Sequence, residues 1–298
     1  MAEQLPPADL PQLPARAADT SKRDYGRVLV IGGAAGMAGA PALTAMAALR
    51  SGAGLVEAVV PDAVVTISAG FDPCVMTLGL ASRADGTFAS DAEETILERA
   101  RAADAVAVGP GLGRTDATAA IVARLWRELP QPAVFDADAL WAIARPDRQR
   151  LIVHAGPRIL TPHAGEMLRL IGLEAGSDAG RDRPRLEAEA IRLAAEIDAV
   201  ILLKGPATLV VDRQRQARNP TGNPGMATAG TGDVLTGVIA ALLAQRLPAF
   251  DAARLAAWVH GRAGDRAAAD LGEISMTARD LLERLSGGFR DRTAGPAG

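Results

Sequence analysis

The chain of 298 residues has one cysteine, three histidines and an aromatic content of only 3%. A single cysteine, Cys74, excludes an intrachain disulfide and a cysteine-based metal cluster, and fits a reducing, cytoplasmic setting. Cys74 lies in Phe71-Asp72-Pro73-Cys74-Val75-Met76 without a nearby His or Lys to lower its pKa, so it reads as an inert packing residue. There is no excess of positive charge: 32 Lys and Arg stand against 35 Asp and Glu, and the arginines are scattered. No basic stripe results, which argues against nucleic acid and leaves a small molecule as the expected partner. Uncharged apolar runs of the length needed to cross a membrane, about 18 residues, are also missing. The first residues have neither a basic start nor an apolar run and are not a signal peptide. With Pro6, Pro7, Pro11 and Pro14 they read as a flexible extension over residues 1–25.

What is present is an alternation of short β-branched runs and longer helical patterns in a chain that is 49% hydrophobic. Strands are predicted at Val28–Ile31, Leu55–Val60, Ala105–Val108, Ala133–Phe135, Arg158–Leu160, Val200–Leu203 and Thr208–Val211. A helix is expected from about Pro41 to Leu49, since proline suits a first helical turn, and another where Ile121, Val122, Leu125, Trp126 and Leu129 recur. Strands alternating with helices imply an α/β fold with a mainly parallel sheet covered on both faces. The abundant Ala and Gly suit close packing of helices on that sheet. No linker divides the chain: the polar interval 174–185 reads as a surface loop, so one domain is expected over residues 26–286. The glycine, arginine and proline of residues 287–298 show no periodicity and read as a frayed tail.

The densest signal is Asn219–Gly237, where a glycine-rich loop runs into an aspartate and a helix. Val234, Leu235, Val238, Ile239, Leu242 and Leu243 recur at helical spacing, which puts Gly230-Thr231-Gly232 at a helix N-terminus. Free N–H groups and the positive end of the helix dipole there suit a phosphate. Asp233 would repel that phosphate unless it has a task. It is either a capping residue of the first turn or a base that takes a proton from a hydroxyl.

Five strand ends carry unusual residues, and ligands of open parallel sheets bind outside the carboxyl ends of strands. Gly32–Pro41 is rich in small residues but lacks the Gly-x-Gly-x-x-Gly spacing of dinucleotide folds; it is a pocket lip or a tight turn. Gly109-Pro110-Gly111-Leu112-Gly113 forms a rigid turn with exposed backbone, suited to a flat ligand. Asp136 and Asp138 are placed either to hold a metal through water or to cap the next helix. His163 precedes a helix and is placed to bond a substrate amide or phosphate, while Glu166 completes a capping box begun by Thr161 or His163. Lys204 ends a buried strand and needs an anionic partner; it is expected to face the same phosphate as Asp233. The P-loop and protein-kinase signatures are absent.

Seven motifs in order, from Gly-Gly-x-x-Gly-Met-x-Gly-Ala-Pro through Ala48–Val56, Gly109–Gly113, Asp136–Leu140, Thr161–Met167 and Lys204–Thr208 to Gly222–Gly237, resemble the ADP-dependent NAD(P)H-hydrate dehydratase family over roughly residues 27–285. The resemblance implies a ribokinase-like three-layer sandwich with a central, mainly parallel sheet flanked by helices. It implies a lyase that repairs the hydrated forms of NADH and NADPH, acting on the (S)-hydrate, with ADP as phosphoryl donor and Mg²⁺, releasing AMP and phosphate. Residue by residue it assigns Lys204, Gly205, Pro206, Ala207 and Thr208, with Asn223, Gly225, Ala229, Gly230, Thr231 and Gly232, to the ADP. Ala40, Gly111, Gly113, His163 and Asp233 would meet the hydrated dinucleotide, with Asp233 as catalytic base and no protein metal ligand assigned. A homotetramer is implied as well. Many relatives carry a fused epimerase domain, for which there is no room before Arg27, so a separate epimerase is the expected functional partner. The rival reading is a ribokinase-like kinase acting on a vitamin-precursor alcohol.

Overall fold

A computed structural model of the chain describes residues 7, 9–145, 152–174 and 178–290. In chain order it runs β1 (Arg27–Ile31), α1 (Gly39–Arg50), β2 (Leu55–Pro61), α2 (Val65–Ala69), β3 (Met76–Leu80), α3 (Ala92–Arg101), β4 (Ala105–Val108), α4 (Asp116–Glu128), β5 (Ala133–Phe135) and α5 (Asp138–Ile143). There follow β6 (Arg158–Leu160), α6 (Ala164–Leu170), α7 (Arg183–Ile197), β7 (Val200–Leu203), β8 (Leu209–Val211), β9 (Gln216–Arg218), α8 (Thr231–Ala244), α9 (Ala249–Leu271) and α10 (Ala278–Arg290). The strands form one sheet in the order β3-β2-β1-β4-β5-β6-β7-β8-β9, parallel from β3 to β7 and antiparallel from β7 to β9.

Successive side chains of a strand point to opposite faces, and here both faces are covered. Val28, Val30, Ala107, Val134 and Leu202 join one core with α1, α8, α9 and α10. Leu29, Ile31, Val106, Val108 and Leu160 join the other with α3, α4, α6 and α7. That is why the central strands read as unbroken apolar runs. Three layers result, as expected.

Two strands escaped the sequence reading for the same reason. β3 and β9 are the two edges of the sheet, and their residues are exposed or only partly buried, so neither shows an apolar run. Both chain ends are also more structured than expected. Leu10 and Leu13 are buried in the core that holds α9, and Asp9 pairs with Arg254 at 2.9 Å, so this part of the extension drapes over the domain. Two leucines among four prolines anchor it. α10 runs four residues past the expected end at 286, with Gly287, Gly288 and Phe289 buried. A Cβ on Gly288 would stand 2.8 Å from the Val259 carbonyl oxygen, so these glycines let α10 cross α9 closely. Residues 1–6 and 8 of the extension and 291–298 of the tail lie outside the described residues. Cys74 is exposed, contrary to the packing role expected of it.

Candidate functional site

The sheet register aligns the carboxyl ends of the central strands, pairing Ile31 with Val108, Val108 with Phe135, and Phe135 with Leu160. The Lys204 amide donates to the Pro162 carbonyl at 2.8 Å, which brings the end of β7 beside the turn after β6. Loops that are far apart in sequence therefore share the carboxyl end of the sheet. The Gly33 amide bonds Pro110 and the Ala34 amide bonds Gly111, which fuses the first glycine-rich turn to the Gly109–Gly113 turn. A Cβ on Gly111 would come within 3.3 Å of the Ala40 Cβ, so the two small residues lie side by side.

α8 begins at the same end. Gly230 is its N-cap with φ 88°, a left-handed conformation that glycine adopts without strain, and no side chain caps the helix. The first i to i−4 bond runs from the Val234 amide to the Gly230 carbonyl, so the Thr231, Gly232 and Asp233 amides of the first turn have no intrahelical acceptor. The Thr231 hydroxyl donates to Met226 and Thr228, and His260 contacts the Thr231 carbonyl at 2.8 Å. Burial pushes His260 down to about 4, so it is neutral. These contacts hold the helix end rigid while its amides stay free.

Beneath that helix end sits a cluster of charges. Lys204 Nζ lies 2.8 Å from Asp136 and 3.7 Å from Glu166. It would stand only 3.3 Å from a Cβ on Gly232, so the absence of a side chain there makes room for the ammonium. Asp136 is 1% exposed and also accepts the Thr236 hydroxyl at 2.8 Å. Burial alone would raise its carboxyl, but Lys204 holds it ionised, below the ordinary range. For Lys204 burial works against the charge, while Asp136, Glu166 and Asp233 outweigh it and raise the pKa. Glu166 is pushed up, chiefly by burial.

Asp233 differs from its neighbours. No hydrogen-bond donor among the described residues reaches its carboxylate, and Gly230 holds the capping position, so the carboxylate is not a cap. Burial, reinforced by the negative charge of Asp136 and opposed by Lys204, raises it to about 7. A carboxyl poised there takes and returns protons at neutral pH. The backbone of α8 is pinned from behind, since the Thr44 hydroxyl donates to the Asp233 carbonyl at 3.0 Å.

The other expected residues divide by location. His163 caps α6: its Nδ1 accepts the Gly165 and Glu166 amides while Glu166 accepts the His163 amide, a complete capping box. Burial and Lys204 lower its pKa, so the ring is neutral, and its bonding pattern assigns the proton to Nε2. Asp136 and Asp138 do not cap α5, contrary to one reading of them; its N-cap is Ala137, and neither carboxylate bonds the helix amides. Asp138 instead accepts the Gly113 amide at 2.9 Å and Arg114 at 2.7 Å, fixing the glycine turn. Lys204, expected to need an anionic partner, has one in Asp136. Gly205–Thr208 forms the hairpin turn between β7 and β8, with Gly205, Pro206 and Ala207 exposed, Thr208 bonding Gly205, and Arg183 holding the Lys204 carbonyl. Asn223 and Gly225 form a separate turn tied to α9, where Asp265 accepts the Gly222 amide and the Asn223 side chain, each at 3.2 Å. Ala229 is exposed before Gly230. Thr44, Thr236, His260 and Asp265 support the site and were missed, because each acts from a helix interior where it looks like any buried polar residue.

The sequence profile of NAD(P)H-hydrate dehydratases matches residues 28–286. The bifunctional NAD(P)H-hydrate repair enzyme Nnr of Moorella thermoacetica is 48% identical over 275 residues, covering 92% of this chain and 51% of that protein. The chain thus spans about half the length of the curated relatives it matches. Among solved structures, the ADP/ATP-dependent NAD(P)H-hydrate dehydratase of Bacillus subtilis, co-crystallized with ATP/Mg²⁺, is 27% identical with a TM-score of 0.77, covering 95% of this chain and 99% of that one. A ribokinase-like superfamily protein of Enterococcus faecalis is 25% identical with a TM-score of 0.75, covering 95% and 93%.

Proposed function

The chain belongs to the NAD(P)H-hydrate dehydratase family, and on that premise we propose that it converts the (S)-hydrates of NADH and NADPH back to NADH and NADPH at the expense of ADP. The observation that carries the reading is Asp233: a partly buried carboxyl with no hydrogen-bond donor among the described residues, held at about 7, in the first turn of α8 and within the field of Lys204. In the proposed reaction Asp233 takes the proton of the ring hydroxyl as that oxygen bonds to the β-phosphorus of ADP. The bond from that phosphorus to the bridging oxygen breaks and AMP leaves. The ring carbon–oxygen bond then breaks, with the ring nitrogen's lone pair forming the new double bond to carbon and phosphate departing. Loss of a proton from the adjacent carbon restores the dihydronicotinamide. Hydroxide, a poor leaving group, is thereby replaced by phosphate.

The Thr231, Gly232 and Asp233 amides and Lys204 would meet the charge that develops on the phosphoryl oxygens. Asn223 to Gly232, with the Gly205–Thr208 turn, would surround the rest of the ADP; Ala40, Gly111, Gly113 and His163 would line the dinucleotide. Among the described residues no group of three or more His, Cys, Asp or Glu side chains is arranged to hold a metal. Mg²⁺ fits this site as a ligand of nucleotide phosphates, keeping its waters and at most one or two carboxylates. It would supply charge neutralisation next to three carboxylates and one ammonium. ATP is an alternative donor, as the name of the B. subtilis relative indicates. Because the curated relatives are bifunctional, an epimerase supplying the (S)-epimer is the proposed functional partner. The same reading includes a homotetramer, checked by light scattering, and a cytoplasmic location; no described helix is long and apolar enough to cross a membrane.

The test is incubation with the NADH hydrate and ADP, following the absorbance of restored NADH and the release of AMP and phosphate. NADH should return in step with AMP. A stable phosphorylated alcohol formed from a vitamin precursor, with no NADH restored from either ADP or ATP, would instead establish the kinase reading.

A further inference from the structure

A cavity of about 400 Å³ opens beside the glycine turns, lined by Arg83, Arg114, Thr115, Asp116, Trp141 and Arg145. Three guanidinium groups face one carboxylate there, with an indole alongside. Two residues of its wall are joined to the glycine turns. Arg83 begins the turn whose Thr87 packs against Gly113, and the Ala35 amide bonds Gly86 of that turn. Arg114 follows Gly113 directly and is tied to it through Asp138. Arg114 is also near enough to His163 to help depress its pKa.

The arginines are not used up by their present partners. Arg114 donates only its Nε to Asp138, and Arg83 only its Nε to Asp85, at 3.4 Å. Arg145 gives one nitrogen to Asp116, whose side chain is 90% exposed, and its guanidinium lies 5.3 Å from the centre of the Trp141 ring. Solvent-exposed pairs of this kind hold a side chain weakly, so the remaining fork donors can turn to a better anion. Phosphate is the anion that bidentate guanidinium groups match best, and a purine is the partner that a Trp–Arg surface stacks against. Thr115 adds a helix N-terminus to the same wall.

We propose that this cavity seats the phosphate-bearing adenosine half of the dinucleotide substrate, with Arg83 and Arg145 as the residues that grip its phosphate. The assignment rests on the function proposed above, since that substrate brings an adenosine carrying a 5′-pyrophosphate and, in the NADPH form, a 2′-phosphate. Arg114 is left out of the test because it also positions Gly113. Binding of NADPH and of NADH is measured by calorimetry on the full chain, without turnover. Arg83→Ala and Arg145→Ala should each weaken NADPH about tenfold, the loss expected for one charge-assisted phosphate contact. Loss confined to NADPH identifies the 2′-phosphate, and equal loss for NADH identifies the pyrophosphate; both support the proposal. Asp116→Ala frees Arg145 and should tighten NADPH binding, which a merely structural role would not do. Wild-type protein that binds neither dinucleotide, or arginine variants that bind both as tightly as wild type, overturns the proposal. Failure of the function itself reads out separately, as absence of NADH restored from its hydrate by protein that still binds NADPH.

Discussion

Arg158 and Lys204 are both largely buried cations, one opening β6 and the other following β7, and they sit at opposite ends of two adjacent parallel strands. Arg158 donates all three of its nitrogens to backbone carbonyls, those of Leu125, Trp126, Leu129, Gln131 and Pro157. It thereby satisfies the end of α4. Burial lowers its pKa to about 10, which leaves it charged and without a carboxylate partner in the hydrogen bonds it makes. Lys204 is held by carboxylates instead, and Asp136, Glu166 and Asp233 together outnumber it. Neutral acceptors close a site, because nothing remains to be exchanged. A surplus of buried negative charge leaves one open, because it must be relieved by a proton or a cation. At this end burial pushes both Glu166 and Asp233 up, Asp233 to about 7.

The sharpest way to break the contrast is at that proton. Asp233→Asn should lower turnover on the order of 10² to 10⁴-fold while calorimetry still shows ADP binding. Near-normal turnover would remove Asp233 from the chemistry. In the wild type the rate should climb through a pH of about 7 as Asp233 ionises, and the Asn variant should lose that limb. Stability runs the other way. The folded-state pKa of Asp233 is raised above its unfolded value, so its contribution is present below about pH 4 and is lost as pH rises through about 7. Between those pH values the Asn variant should lose less stability in urea titrations than the wild type.

Lys204→Met would leave Asp136 buried without its cation, a loss of about 3 to 5 kcal/mol in chemical unfolding. It should also shift the rate limb to higher pH, because Lys204 is what holds Asp233 down. Arg158→Leu breaks the other end, exposing the carbonyls of α4 to desolvation without partners, at about 2 to 3 kcal/mol. There the turnover per folded molecule should equal that of the wild type. A matching fall in turnover would mean that the two ends of the sheet are not independent. The smallest effect is expected from Asp265→Ala, which frees the Gly222–Asn223 turn. About 1 kcal/mol should appear as a several-fold rise in the KM for ADP with kcat kept.

The sequence was most legible where periodicity and burial coincide. β4, β5 and β7 fall where apolar runs predict them, because strands buried on both faces are near-continuous apolar runs, and β6 falls at its expected bounds although the buried Arg158 opens it. β3 and β9 were invisible because edge strands need no such run. The helix behind Gly230 was readable from its spacing, and with it the free first-turn amides. The roles of Asp136 and Asp138 were not readable. A carboxylate that caps, one that pairs with a lysine 68 positions away and one that braces a glycine turn look alike in a string of letters. Leu10 and Leu13 were hidden for a related reason, since two leucines among prolines declare no partner until α9 is in place.

The residues by themselves determined the α/β alternation, the helix N-terminus with its free first-turn amides, and the family pattern, because all three are written in local spacing. Only the tertiary structure decided the electrostatic environment of Asp233. Its pKa follows from burial, from Asp136 at the end of another strand and from Lys204 at the end of a third, and the field of such charges depends on distance through the fold rather than along the chain.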